Sequence, residues 1–244
     1  MLSLSKSYII ARVTLSFSQL RSKPAPQLCV AGHLLEYSDS IKILGVTLDS
    51  TLSFRTQCTI TAKKCNSTLA VLRKQKDYFP SATKLHLVKA LVFPHLDYCA
   101  GLFLDLSAEL TTKLVRCMNA GLRFAAGLRK SDHISPTYVS NSILTYPSRR
   151  DYLCISLLAS VLTSGEPVYL SRAFNFTNKK GLKRCSLLDL EIPRARTQCF
   201  QNSFPVYVAR LWNSLPTELR QDYPRSCFKN KVREYFLNIS KDTV

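Results

Sequence analysis

Lys42 to Phe54 reads KILGVTLDSTLSF, and the parsing of this run decides the fold of the N-terminal segment. Ile41, Ile43 and Val46 alternate, with Leu44 and Leu48 on the other side, which predicts one strand covered on both faces. Gly45 lets another backbone come close. Asp49 and Ser50 end the strand, and a helix starts at about Phe54. Further short strands are expected at Tyr8 to Val13, Gln27 to Val30 and Leu34 to Tyr37, with a turn at Ala31-Gly32-His33. Together they predict a sheet of three or four strands with one side left uncovered.

From Phe54 the apolar period changes from two to about 3.6. Cys58, Ala62, Cys65, Leu69 and Leu72 mark an amphipathic helix of five or six turns. Pro80 and Ser81 open a second helix with Leu85, Val88 and Val92 on one face, and Pro94 is expected to stop it. Ser107 caps a third, carrying Leu110, Leu114, Cys117, Gly121 and Phe124 and ending near Gly127. A fourth begins after Ser148 and runs through Leu153, Leu157 and Val161 to the break at Gly165 and Pro167. Residues 174–202 read as a loop carrying one hairpin around Leu187 to Ile192. Pro205 opens a helix with Val208 and Leu211 that Pro216 ends, and Phe228, Val232 and Tyr235 line the last one. The expected fold class is α+β, mainly α: a small antiparallel sheet over residues 1–53, a helical bundle over 54–130, and a helical C-terminal segment over 131–244.

At 244 residues and 46% apolar composition the chain can build a core. Its 34 Lys and Arg against 16 Asp and Glu give a formal charge of +18, well beyond the ~2 to 8 that solubility calls for, and this excess favours polyanions as partners. The nine cysteines (Cys29, Cys58, Cys65, Cys99, Cys117, Cys154, Cys185, Cys199, Cys227) form no C-x-x-C pair and read as reduced core residues of an intracellular protein, nuclear or cytoplasmic. His33, His86, His95 and His133 are scattered and lack close cysteine partners, which argues against zinc. No apolar run reaches the ~18 residues of a membrane span, since Ser156 and Ser160 interrupt Ile155 to Leu162. Residues 1–35 contain no acid, carry Lys6, Arg12, Arg21 and Lys23, and are rich in serine, which imitates a transit peptide. The strand-like Tyr8 to Val13 opposes that reading.

The acids do not organise into a catalytic site. Polymerases hold two divalent metals on carboxylates, typically an adjacent pair of aspartates, yet no two acidic residues here are consecutive. Asp189 and Glu191 come nearest and read as solvent-facing charges on an edge strand. Phosphate-cradling glycine loops and nucleophile-elbow strings are missing.

The bases are better ordered. Lys63 and Lys74 lie three turns apart on the first helix, nearly opposite its apolar stripe, and Lys64, Arg73 and Lys76 flank it. Asp77 is the only acid between Ser50 and Phe79. On the third helix Arg116 and Arg123 share a flank at seven-residue spacing. Each could equally be part of an ordinary charged helix face. Arg129 and Lys130 suit a helix C-terminus through the macrodipole. Arg149 and Arg150, in a first helical turn, call for a phosphate or a carboxylate such as Asp151. Tyr78, Phe79, Tyr98, Phe103, Phe124, Tyr207 and Trp212 accompany this charge, mostly as core residues, with base stacking open to those at element ends.

Six strings in fixed order resemble the C-terminal part of reverse transcriptases of non-LTR (LINE-like) retrotransposons of the jockey kind. They are LSLSKS at Leu2 to Ser7, KILGVTLDSTLSF at Lys42 to Phe54, KALVFPHLDYC at Lys89 to Cys99, DHISP at Asp132 to Pro136, IPRARTQ at Ile192 to Gln198, and RLWNSLP at Arg210 to Pro216. The resemblance implies an end-of-palm segment, a helical thumb that clamps template and primer, and a C-terminal extension. It maps Lys6 onto a lysine thought to assist pyrophosphate departure, and it places Leu44 and Gly45 in a primer grip. The family's metal-binding aspartates precede LSLSKS, so the resemblance implies a truncated RNA-directed DNA polymerase that does not polymerise alone. No cofactor is expected for this chain, although the parent enzyme would use Mg2+. Expected partners are RNA, DNA or an RNA:DNA duplex, held non-specifically through phosphates, with no membrane. The alternatives are an open reading frame of a decayed element without selected function and a co-opted protein-interaction module.

Overall fold

The computed structural model describes residues 28–30, 32–35, 38–177 and 187–243. Lys6 and the strand expected at Tyr8 to Val13 lie outside them. The protein is mainly helical, with short antiparallel pairings near its N-terminal end. The described chain divides into two compact units between Ile60 and Thr61.

In the first unit, β1 (Leu28–Val30) pairs with β2 (His33–Leu35), and β3 (Ser40–Ile43) pairs with β4 (Val46–Asp49). These are two separate two-stranded hairpins, where the sequence suggested one sheet. The KILGVTL run is correspondingly not one strand covered on both faces. It reverses at Leu44 and Gly45, whose φ angles of 46° and 84° form the two-residue turn whose twist matches a hairpin. The register pairs Ile41 with Leu48 and Ile43 with Val46, so all four apolar residues share one face. The two-residue turn resets the alternation, which is why counting straight through placed Leu48 on the wrong side.

Asp49 then organises the passage into α1 (Arg55–Lys74). Its Oδ1 accepts from Thr51 N (3.2 Å), Thr51 Oγ1 (2.7 Å) and Ser53 N (2.8 Å), and its Oδ2 accepts from Ser53 Oγ (3.1 Å) and Phe54 N (2.8 Å). These bonds hold Leu52 and Phe54 at φ of 53° and 56°, a region that costs a side-chain-bearing residue roughly 1–2 kcal/mol. The buried Gln57 of α1 accepts from Thr47 N at 2.9 Å and so fixes the first helical turn to β4.

In the second unit, α2 (Ser81–Leu91) is followed directly by α3 (Phe93–Asp97). Pro94 sits in the first turn of α3, where its missing N–H costs nothing, so it opens a short helix as well as ending the previous one. α4 (Ala108–Ala126) has the ends that its sequence signals predict, but Phe124, expected on the apolar stripe, is only half-buried and stands outside the buried face. The Ser107 hydroxyl accepts from Leu110 N at 3.3 Å, and Gly127 caps the C-terminus at φ 69°. α2 packs against α4 at Gly121, where a Cβ would come within 2.9 Å of Val88 Cγ1. Leu110, Leu114, Cys117, Met118, Leu122 and Ala125 bury the same side of α4.

After α5 (Ser135–Ser140), α6 (Tyr146–Ser164) starts two residues before Ser148, with Pro147 in its first turn. Its buried face is Cys154, Ile155, Leu158, Ala159 and Val161; Leu157, expected inside, is 45% exposed. The short α7 (Val168–Ser171) and α8 (Gln198–Gln201) precede α9 (Phe204–Ser214), α10 (Thr217–Gln221) and α11 (Phe228–Thr243). Ile155, Leu158, Val208, Trp212, Phe228, Val232 and Phe236 form one core across α6, α9 and α11, each large side chain contributing about 1.5–3 kcal/mol by burial. Phe236, not the half-buried Tyr235, completes the inner face of α11.

In place of the hairpin expected near Leu187 to Ile192, the described residues show a single antiparallel bridge of Phe176 with Leu190, flanked by Thr177 N to Asp189 O and Glu191 N to Asn175 O, both 2.8 Å. The RLWNSLP string holds it in place. Trp212 Nε1 donates to Leu188 O (2.8 Å), while Asn213 accepts from Leu190 N (2.8 Å) and donates to Leu190 O (2.9 Å).

Two substitutions test these assignments. Burial pushes the Asp49 carboxyl up, but its hydrogen bonds from Thr51, Ser53 and Phe54 outweigh this and leave it below its ordinary 3.8. A depressed carboxylate stabilises above its unfolded pKa and loses that contribution as pH falls through the folded value. Asp49→Asn is therefore expected to speed amide exchange at Ser53 and Phe54 at pH 7, by about 1–2 kcal/mol of protection. The gap to wild type should close as the pH drops below about 4. Gly121→Ala should destabilise the helical unit by about 1–3 kcal/mol in urea unfolding, and adding Val88→Ala should relieve the contact and recover part of that loss.

Candidate functional site

Arg116, Asn119, Ala120, Arg123 and Phe124 recur at spacings of three, one, three and one, which places them on one face of α4 opposite the buried Gly121 and Leu122. The chain beyond the Gly127 cap brings Leu128 and Lys130 to the same place, and the last turn of α1 brings Arg73. These residues line a recess of about 520 Å³. Arg73, Arg116 and Lys130 are exposed and Arg123 is half-buried. No carboxylate lines the recess, and among the described residues none of its four cations has an ion-pair partner.

The loop that follows α4 is fixed from within. Asp132, the acid of the DHISP string, accepts from Arg129 N through Oδ2 (2.7 Å), and its carbonyl accepts from Arg123 Nη2 (3.3 Å). Arg123 Nε is buried with no hydrogen-bond partner. Tyr138 donates to Asn119 Oδ1 at 2.6 Å, which orients that amide. Burial pushes the Tyr138 hydroxyl up to about 12, against the pull of the Arg123 charge, so it remains a donor at neutral pH. The recess thus presents cations, an oriented amide and the half-buried ring of Phe124, a set suited to an oxyanion with an apolar or aromatic neighbour.

Sequence reasoning named Arg73, Arg116 and Arg123, and the structure brings them together. It assigned Lys130 to the helix end and did not single out Asn119, although the face running from Arg116 to Phe124 is readable from spacing alone. What spacing cannot supply is the arrival of Arg73 from a different helix. Lys63, Lys64, Lys74 and Lys76 are exposed but do not line the recess. Leu44 and Gly45 occupy the tip of the β3–β4 hairpin, where Leu44 is 87% exposed.

Other candidates prove to be internal supports. Arg149 makes a two-pronged contact with Asp97, Nε to Oδ1 at 2.5 Å and Nη2 to Oδ2 at 2.6 Å, and lies 5.0 Å over the Phe93 ring. Its carboxylate is thus Asp97 of the KALVFPHLDYC string, 52 residues away, rather than the neighbouring Asp151. Arg150 donates to Phe103 O at 2.9 Å. Asp151 accepts from Tyr207 at 2.7 Å, and burial keeps it above the ordinary carboxylate range although Tyr207 and Arg150 pull it down. Asp189 is not a solvent-facing edge charge as expected, because it forms an ion pair with the buried Arg220. Asp189, held by Arg220, is therefore not placed as a metal-binding carboxylate. Among the described residues no three His, Cys, Asp or Glu side chains gather to hold a metal, and no helix is long and apolar enough to cross a membrane.

No protein-family model matches the chain, and no curated protein or solved structure matches it either.

The structural role of the Asp97–Arg149 pair can be separated from ligand binding. The two side chains are 23% and 28% exposed, so removing one partner is milder than in a dry core. Asp97→Ala is expected to cost about 2–3 kcal/mol in urea unfolding. Asp97→Leu combined with Arg149→Met should recover most of it, and neither variant should change affinity for polyanions once folded.

Proposed function

We propose that this chain is a nucleic-acid-holding segment akin to the C-terminal part of a non-LTR reverse transcriptase, an RNA-directed DNA polymerase, and that it binds the phosphates of RNA, DNA or an RNA:DNA duplex without sequence preference. The single observation that carries this reading is the convergence of Arg73, Arg116, Arg123 and Lys130 on one recess that no carboxylate lines. Four like charges at one place repel one another, and a polyanion relieves that repulsion. The exposed lysines of α1 extend the same positive field. Support for the ancestry comes from the six strings and their order.

The fold is compatible with the roles the resemblance suggests. A helical unit with a basic face suits a thumb, and a tight hairpin with Leu44 and Gly45 at its tip suits a primer grip. Without an adjacent pair of acids in these 244 residues, and with Asp189 engaged by Arg220, the chain contributes binding and no metal-dependent phosphoryl transfer of its own. The binding it contributes is electrostatic and should follow counterion release, with log affinity falling linearly in log salt by about 0.9 for each phosphate neutralised.

Titrating a fluorescent RNA:DNA duplex over a series of salt concentrations tests this. Arg73→Glu with Arg116→Glu should reduce the slope by about two and the affinity by about tenfold or more near 0.1 M salt, with far-UV circular dichroism unchanged. Lys63→Glu with Lys74→Glu should produce a smaller effect in the same direction. Salt-independent binding, or indifference to the arginine reversals, would sink the proposal. A single stoichiometric protein partner surviving nuclease treatment would point to the interaction-module reading instead.

A further inference from the structure

Tracking a phosphate backbone requires only exposed charges at suitable reach. The recess between α1 and α4 holds more than that. It is concave, its volume of about 520 Å³ falls within the ~300–1,000 Å³ of sites that enclose small molecules, and part of its lining is Ala120, Phe124 and Leu128. A phosphate gains nothing from an aromatic ring or a leucine. A base does, because every base has a face that stacks on an aromatic ring.

Hydrogen-bond donors are available as well. Arg123 Nε is buried without an acceptor. Tyr138 occupies Asn119 Oδ1, and among the described residues the Asn119 amide nitrogen has no acceptor either. Donors of this kind match the ring nitrogens and carbonyl oxygens on base edges.

We infer that the recess is a subsite for one unpaired nucleotide of a bound strand, its base packed against Phe124 and its phosphate held by Arg73 and Arg116. The inference rests on the proposed nucleic-acid binding and deepens it by naming what the recess takes. Duplex phosphates meet the same exposed cations at the mouth of the recess, and the nucleotide at a strand end or bulge enters it.

Three RNA:DNA duplexes of equal length distinguish these possibilities: one blunt, one with a single-nucleotide overhang, and one with an abasic overhang that adds the phosphate without the base. Wild-type protein should bind the base-bearing overhang about tenfold more tightly than the abasic one, the increment expected of one base stacked on an aromatic side chain. Phe124→Ala should abolish that difference. Phe124→Tyr should restore it, and thermal melting verifies that both variants fold. Equal binding of the two overhangs by wild type overturns the inference while the proposed function stands. Failure to bind any of the duplexes overturns both. A free nucleoside monophosphate that binds as tightly as the overhang adds would make the recess a mononucleotide site and overturn its assignment to a strand.

Discussion

Carboxylates are scarce in this protein, 16 against 34 Lys and Arg, and several of the described ones are engaged within the chain itself. Asp49 holds the turn into α1, Asp97 holds Arg149, and Asp132 holds the loop after α4. Asp151 meets Tyr207, Asp189 meets Arg220, and Asp222 meets Arg225 and Lys231 at 2.8 and 2.5 Å. Asp97, Asp151 and Asp189 join segments far apart in the sequence, whereas Asp49, Asp132 and Asp222 fix local turns. The recess lined by Arg73, Arg116, Arg123 and Lys130 has no carboxylate beside it. The internal order and the external positive field are therefore two results of one distribution of acids.

Magnitudes separate the roles. Burying Trp212, Phe228, Ile155 and Leu158 yields several times the free energy of any partly exposed ion pair, which is worth on the order of 1 kcal/mol net. Stability thus comes from the apolar core. The pairs decide which arrangement of that core is adopted, since a carboxylate or guanidinium left buried without its partner costs more than the pair gains. Trp212 does both: its ring fills the core at 5.6 Å from Tyr223, and its N–H fastens Leu188. Asn213 beside it satisfies both backbone groups of Leu190, so the RLWNSLP string acts as a clasp on a segment that lacks regular secondary structure.

Local signals were legible in the sequence and long-range ones were not. Ser107 and Gly127 bounded α4 because a cap hydroxyl and a left-handed glycine act within a few residues of the helix they end. The β3–β4 hairpin was misparsed although its pattern is plain once folded: I-K-I, then L-G, then V-T-L, with the glycine marking a turn and not a close approach. Leu157 was misplaced because a stripe drawn every four residues drifts around a helix of 3.6 residues per turn. The partner of Arg149 could not be read at all, since nothing local distinguishes Asp97 from Asp151. The candidate site divides in the same way. One wall is a single helical face and could be read from spacing, whereas the approach of Arg73 depends on how α1 and α4 are held in the folded unit.

That division bears on how the recess is maintained. Arg73, Arg116 and Arg123 sit together without compensation, and their repulsion acts to open the gap between α1 and α4. On its apolar side α4 is held by α2, where Gly121 admits Val88 so closely that these two helices cannot shift without losing contact. The cationic wall is thus carried by a helix whose other side is closely packed. Any anion that neutralises the recess removes a strain the core otherwise bears, so occupancy and folding stability rise together, as linkage requires of a ligand that binds only the folded state.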